Sequence, residues 1–212
     1  MAKILSSKCK LCRRAGEKLF LKGDRCSSPK CAMVRKAYAP GAHGNSEGRR
    51  RGLSEYGKQL AEKQKLKRIY GISEKQLRRH LISAKKKSGV LGDNLLVVLE
   101  SRLDNIVYRL GIAQSRSQAR QLVSHSLFVV NGKSLNVPSA VIRIGDIVKI
   151  KETKLEKSFI KEVKITLKKS SLNTKWLEFN PGKMEGKVLA KPTRDEIGIN
   201  VNTAMVIEFY SR

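Results

Sequence analysis

The chain has 212 residues, and its 45 Lys and Arg against 18 Asp and Glu leave a formal net charge of +27, with a pI near 10.3. Like charges repel in a compact state, so this imbalance adds no folding stability and indicates a polyanionic partner, of which nucleic acid is the commonest. Hydrophobic residues make up 40% of the chain, which excludes wholesale disorder, while aromatic residues make up only 5%. Few aromatic stacking platforms favour recognition of folded RNA by shape and phosphate over binding of splayed bases.

The sequence shows no targeting or membrane segment. Its first ten residues lack the apolar stretch of a secretory signal, and no apolar run approaches the roughly 20 residues of a membrane helix. We therefore expect a cytoplasmic protein whose thiols stay reduced.

All four cysteines lie near the beginning of the chain. Cys9 and Cys12 form one close pair, Cys26 and Cys31 form a second, and thirteen residues separate the pairs. This spacing lets four thiolates converge on Zn²⁺ in a closed, structural site, and nearby cations are expected to lower the thiol pKa values. A four-thiolate Fe–S cluster and two disulfides are the alternatives, and a reducing compartment disfavours the second.

Two basic helices are predicted after a connector marked by Gly and Pro at residues 38–44. The first starts at Ser54 and stops at Gly71, and the second opens with a capping box of Ser73 and Gln76. Residues 49–87 contain fourteen Lys or Arg against three Glu, and a solvated helix face usually alternates the sign of its charges. This one-sided excess predicts a phosphate-binding surface.

Apolar residues at helical spacing predict a third helix, capped by Asp93, continuing to Leu110 and ended by Gly111. A second capping box, Ser115 with Gln118, opens a shorter helix.

The apolar period then changes to two, which predicts strands at 128–130, 140–144 and 147–150, with Asn131-Gly132 as a hairpin turn. Further strands are predicted at 176–179 and 205–210, and Thr193 with Glu196 predicts a short helix between them. Residues 103–150 thus form a module of two helices on a small twisted sheet.

The residues of this module resemble those of a known family. Arg102-Leu103-Asp104-Asn105-Ile106-Val107-Tyr108-Arg109-Leu110-Gly111, with Ser115–His125 and Val130-Asn131-Gly132-Lys133, resembles the small RNA-binding module named after ribosomal protein four of the small subunit. Residues 38–44, 53–71, 176–178, 182–186 and 192–194 continue the resemblance to that ribosomal protein family. Ala39 and Ala42 depart from its Pro and Gln, which affects contacts of those side chains only.

The resemblance implies an α+β fold in which the RNA-binding module is inserted into a helical domain. We expect a four-cysteine zinc knuckle and connector at 1–45, a basic helical domain at 46–102, the inserted module at 103–165, and a segment at 166–212 that packs back on the helical part. It also implies a structural protein of the small ribosomal subunit that binds rRNA early in assembly. The resemblance further implies that the protein lies beside the fifth small-subunit protein, near the site where mRNA enters the ribosome, and that it affects translational accuracy.

The expected site residues fall into two sets. The zinc ligands are Cys9, Cys12, Cys26 and Cys31. The expected RNA-binding residues are basic side chains along the chain: Arg13, Arg14, Arg35, Lys36, His43, Arg49, Arg50, Arg51, Lys58, Arg68, Arg78, Arg116, Arg120, His125 and Lys133.

Two other functions are weighed and set aside. Arg102-Leu103-Asp104 is similar to the Arg-Leu-Asp of pseudouridine synthases, but no room remains for their catalytic domain, so Asp104 is expected to be a helix-surface carboxylate paired with an Arg. A zinc-dependent DNA regulator would need a helix that reads the major groove, whereas cations here are spread over the whole chain. We therefore expect no enzymatic activity.

Overall fold

The computed structural model describes residues 6–44, 52–169 and 174–211, and the chain divides into two compact units. Unit 1 comprises Met1–Asn94 and Ile199–Arg212, and unit 2 comprises Leu95–Gly198. The expected α+β class is confirmed, because helices form unit 1 and a sheet with helices forms unit 2. None of the helices in the described part of the chain is both long and apolar enough to span a membrane.

The helices and strands follow one another along both units. In chain order they are α1 (Lys8–Ala15), α2 (Asp24–Ser27), α3 (Ala32–Arg35), α4 (Glu55–Tyr70), α5 (Glu74–Lys85), α6 (Leu91–Glu100), α7 (Leu103–Arg109), α8 (Arg116–Ser124), β1 (Phe128–Val130), β2 (Lys133–Leu135), β3 (Ile147–Ile150), a 3₁₀ turn (Glu152–Lys154), α9 (Ser158–Lys169), β4 (Leu177–Asn180), β5 (Glu185–Val188), α10 (Arg194–Ile197) and α11 (Thr203–Ser211).

The corner between α4 and α5 forms as the sequence predicts. Gly71 takes the left-handed conformation at φ 61° and ends α4. The Ser73 hydroxyl accepts the Gln76 N–H while the Gln76 side chain accepts the Ser73 N–H, which is the predicted capping box. Ile72 and Leu77 are both fully buried on either side of this cap.

The segment 205–210, predicted as a strand, is instead part of helix α11, which packs on α4. Lys63 is buried, lies 4.2 Å from the centre of the Phe209 ring and forms an ion pair of 3.1 Å with Glu74. The Tyr210 hydroxyl donates to the same carboxylate, and burial together with this hydrogen bond raises the pKa of Tyr210. These contacts hold the returning helix on unit 1.

The prediction of a single helix from Asp93 to Leu110 is wrong, because α6 ends at Glu100 and α7 begins at Leu103. Between them Arg102 is extended at φ −75° and ψ 141° and bridges to Val141. The Leu103 N–H donates to Ala140 O, and the Ile142 N–H donates to Ser101 O. The same pairing replaces the predicted strand at 140–144, since that segment makes an isolated bridge to the helix junction.

Unit 2 contains one antiparallel sheet with the strand order β2-β1-β3-β5-β4. Asn131 and Gly132 both have positive φ, 48° and 80°, and form the predicted hairpin turn between β1 and β2. Of the segment 166–212, only Ile199–Arg212 with α11 belongs to unit 1, whereas β4 and β5 extend the sheet of unit 2. The predicted capping box of Thr193 and Glu196 opens α10.

The core of unit 2 lies between this sheet and helices α7, α8 and α9. Its largest member is Trp176, which is 2% exposed and is the only tryptophan of the chain. Gly186 on β5 comes so close to α7 that an added Cβ would lie 2.5 Å from Cδ1 of the fully buried Leu110. No larger residue fits there without repacking.

Gly186→Ala is therefore expected to lower the free energy of unfolding of unit 2 by about 1–3 kcal/mol, the usual cost of overpacking a close-packed core. Urea unfolding followed by Trp176 fluorescence measures the change. Gly182→Ala, on the exposed turn between β4 and β5, is the matched control and should change the free energy by less than about 0.5 kcal/mol. Equal effects of the two substitutions would contradict the close contact.

Candidate nucleic-acid interface and cysteine cluster

The four cysteines come together around one pocket in unit 1. Cys9 and Cys12 lie one turn apart on α1, Cys26 lies on α2, and Cys31 is the residue before α3. None forms a disulfide, and all except Cys9 are buried. The Lys22 N–H points to Cys26 Sγ at 3.4 Å. All four thiols are thus free and line one pocket.

The electrostatics of this cluster differ from the prediction. Burial raises the pKa of the Cys12 thiol, and repulsion from the other three cysteines raises it further. The sequence predicts that nearby cations lower the thiol pKa values, and for Cys12 this prediction is wrong, because desolvation is the largest cause of its shift. Within residues 6–44, 52–169 and 174–211, no group of three or more His, Cys, Asp or Glu is arranged so that it could hold a metal ion. The geometry gives a thiol-lined pocket, and a zinc knuckle is not shown.

Near the cysteines, one predicted RNA-binding arginine has an internal role. Arg13 donates from Nε to Tyr38 O at 2.8 Å and from Nη2 to Ala39 O at 3.1 Å, and its guanidinium lies 4.6 Å from the centre of the Tyr38 ring. It therefore fixes the connector to α1.

Arg68, another predicted contact, is only partly exposed on α4. Its desolvation and the nearby charge of Arg14 lower the pKa of Arg68.

The other predicted contacts of unit 1 are exposed. They are Arg14, Arg35, Lys36, His43, Lys58 and Arg78. Lys58 forms a surface ion pair with Glu55 at 3.2 Å. The cluster Arg49, Arg50 and Arg51 lies outside the described residues.

Several cations of α4 are used inside unit 1, which corrects the prediction that the excess charge of residues 49–87 forms one phosphate-binding surface. Lys65 is buried and forms an ion pair of 2.6 Å with Glu17, and Lys67 pairs with Glu74 at 3.2 Å. Lys63 is likewise paired with Glu74. These ion pairs stabilise the packing of α4, and Lys63 and Lys65 are buried in it.

Helix α5 and the residues after it present the exposed cations that the prediction mostly missed. Lys75, Arg78 and Arg79 are exposed and make no ion pair within the described part of the chain, and of these only Arg78 was singled out from the sequence. Positions three and four apart share one face of a helix, so the spacing of 75, 78 and 79 could have identified them. The exposed Lys85, Lys86 and Lys87 follow.

In unit 2, the predicted contacts His125 and Lys133 are exposed, whereas Arg116 and Arg120 are held by acidic or amide groups. Arg120 forms an ion pair of 2.9 Å with Asp104, and Arg116 donates from Nε to Asn105 Oδ1 at 2.7 Å. The predicted pairing of Asp104 with an Arg is confirmed, but its predicted surface position is wrong, because it is only 4% exposed.

Exposed Lys and Arg lie on both units, and together with the net charge of +27 they are typical of a protein that binds RNA through its phosphates. The comparisons with known proteins agree. Residues 3–100 match the family described as ribosomal protein S4/S9 N-terminal domain, and residues 101–148 match the S4 domain.

Relatives along the full length make the assignment specific. The chain is 51% identical to small ribosomal subunit protein uS4 of Syntrophomonas wolfei and 49% identical to that of Caldicellulosiruptor bescii, with all of each chain covered. It is 48% identical to the protein of the same name of Clostridium tetani, again over the whole length. The chain belongs to the uS4 family of small-subunit ribosomal proteins.

Proposed function

We infer that this protein is a structural component of the small ribosomal subunit and binds folded small-subunit rRNA. The observation that carries this proposal is the full-length similarity to proteins named small ribosomal subunit protein uS4, together with exposed cations on both units. Membership of a ribosomal protein family agrees with the prediction that the chain is not an enzyme.

The test is binding of the full chain to a folded transcript of small-subunit rRNA, with a duplex DNA of equal length as competitor. We expect the rRNA to be preferred and the affinity to fall steeply with salt, because each neutralised phosphate releases counterions. Preference for the duplex DNA would favour the DNA-regulator alternative and overturn the proposal.

We also propose that the exposed residues Arg14, Arg35, Lys36, His43, Lys58, Arg78, His125 and Lys133 contact this rRNA, with Arg68, Arg116 and Arg120 at the edges of the contact surface. Arg13 contributes by holding the connector, and Arg49, Arg50 and Arg51 remain part of the proposed set. We propose that residues 103–165 form an RNA-binding module inserted into the helical part of the chain. Loss of rRNA protection at separate places on substitution in each unit would support a two-part contact surface.

The cysteine cluster is proposed to hold one structural Zn²⁺. The chemistry of the donors supports this proposal, because four cysteines line one pocket and soft thiolates suit tetrahedral zinc, with no position left open for substrate. A bound metal would displace the proton of each thiol. Its positive charge would stabilise the Cys12 thiolate, which burial alone disfavours. A four-thiolate Fe–S cluster is the alternative that metal analysis excludes or supports.

Partners beyond rRNA are proposed on the family resemblance. They are the fifth small-subunit protein and mRNA near its entrance, with roles in early assembly and translational accuracy. Crosslinking of the assembled subunit tests these contacts.

A further inference from the structure

Two buried carboxylates lie where the helices of unit 2 meet. Glu100 at the end of α6 is 0% exposed and Asp104 in the first turn of α7 is 4% exposed. A buried carboxylate is unfavourable unless it is paired and hydrogen-bonded, and here each is held by two arginines.

Asp104 joins an enclosed arginine to a partly exposed one. Arg102, 1% exposed, donates from Nε to Asp104 Oδ1 at 3.0 Å and from Nη2 to Oδ2 at 2.7 Å. Arg120 reaches the same carboxylate from α8, donating to Oδ2 from Nε at 3.1 Å and from Nη2 at 2.9 Å. The side chain of Arg120 is 17% exposed, so the carboxylate fixes a cation that solvent still reaches.

Glu100 has the same role toward Arg116. It forms an ion pair of 2.8 Å with Arg109 and lies 3.5 Å from Arg116 Nη2. Asn105 donates to Glu100 and accepts from Arg116 Nε at 2.7 Å, while the Arg116 guanidinium lies 4.5 Å from the centre of the Tyr108 ring. Three groups thus orient one side chain that is 15% exposed.

We propose that Asp104 and Glu100 are positioning residues, which hold Arg120 and Arg116 in the orientation in which they meet the phosphates of folded RNA. This rests on the proposed function. The four arginines outnumber the two carboxylates, so the cluster keeps an excess of two positive charges, by four minus two. Side chains fixed before binding lose less conformational freedom when the complex forms.

The proposal makes a prediction opposite in sign to simple electrostatics. Removal of a carboxylate from a basic surface should strengthen RNA binding if only net charge matters. If the carboxylate positions Arg120, its removal weakens binding, because the arginine must then be ordered by the RNA itself.

The deciding variant is Arg102→Met with Asp104→Asn in the full chain. It removes one charge of each sign, so the net charge equals that of the wild type and no enclosed guanidinium is left without its partner. At 0.15 M salt we expect affinity for the folded small-subunit rRNA transcript to fall about fivefold, and the log–log salt slope to decrease in magnitude by roughly 0.7–0.9, as for the loss of one phosphate contact. A purely structural defect would lower the folded fraction and leave the slope unchanged.

Two comparisons complete the test. Arg120→Gln should weaken binding about fivefold in the wild type but less than about twofold in the Arg102→Met/Asp104→Asn background, because the two substitutions act through one contact. Glu185→Gln is the matched control, since it removes a carboxylate of unit 2 that pairs with the exposed Lys149 at 2.7 Å, and it should not weaken binding.

The outcomes separate the two proposals. If the wild type binds the rRNA and the net-charge-matched variant binds equally with the same slope, the positioning role is overturned while the proposed function stands. If the wild type does not prefer the rRNA, the proposed function fails first. Should the paired variant not fold, Arg120→Lys keeps the charge without the fork that grips Asp104, and wild-type affinity in that variant would overturn the positioning role.

Discussion

Cys12→Ser is expected to abolish zinc binding and to unfold the N-terminal part of unit 1, while unit 2 keeps its stability. Residues 6–44 contain three short helices around the cysteines and few buried apolar side chains, so metal coordination should supply most of their folding free energy. Metal analysis should change from about one zinc per chain to none. Amide hydrogen exchange should lose protection over residues 6–44, and Trp176 fluorescence should report an unchanged unfolding of unit 2.

Ala32→Ser is the control for this substitution. Ala32 lines the same pocket, so this substitution introduces a hydroxyl there without removing a thiol. The zinc content should therefore stay at the wild-type value. Native protein with no metal, or with iron, would contradict the zinc proposal. Equal protection in Cys12→Ser and wild type would show that the segment folds without a metal.

Replacement of all three cations Lys75, Arg78 and Arg79 by Gln is expected to weaken rRNA binding about 100-fold at 0.15 M salt. Each phosphate contact contributes a factor of about five at that salt concentration, and the log–log slope should decrease in magnitude by roughly 2–2.7. The three side chains are exposed on α5 and take part in no ion pair that the structure describes, so the fold should be unaffected. Filter binding of the full chain to the rRNA transcript across a salt series gives both numbers.

The control exchanges the same residues for cations, Lys75→Arg, Arg78→Lys and Arg79→Lys. Its slope should match the wild type, since counterion release depends on charge and not on the head group. An unchanged slope in the neutral variant would show that this face of α5 is merely solvated.

Local chemistry accounts for the elements that the sequence predicted well. Ser73 with Gln76, Gly71 at the end of α4 and Asn131-Gly132 each act within a few residues, through caps and positive φ. Such features do not depend on the rest of the chain.

The wrong predictions depend on distant partners. The apolar residues keep their helical spacing through Arg102, yet the helix is interrupted there because residues 138–142 form backbone hydrogen bonds with the junction. The segment 205–210 is apolar enough for a strand, but Val206 becomes fully buried in a helix that packs on α4. Sequence periodicity cannot show which partner a segment will meet.

The candidate site follows the same rule. Counts of charged residues predict the basic regions, but they cannot show that Lys63 and Lys67 form ion pairs with Glu74 and that Lys65 forms one with Glu17. Nor could they show that Arg120 is tied to Asp104. Only the folded positions of the carboxylates show which cations are paired within the protein.

The return of α11 to α4 has a consequence for the order in which the chain folds during its synthesis. Residues Ile199–Arg212 are translated after the whole of Leu95–Gly198, although they belong to unit 1. The sheet of unit 2 can therefore form on the nascent chain while the side of α4 on which α11 packs is still uncovered. Until α11 leaves the exit tunnel, unit 1 is incompletely packed, and chaperones and proteases recognise such incompletely folded chains.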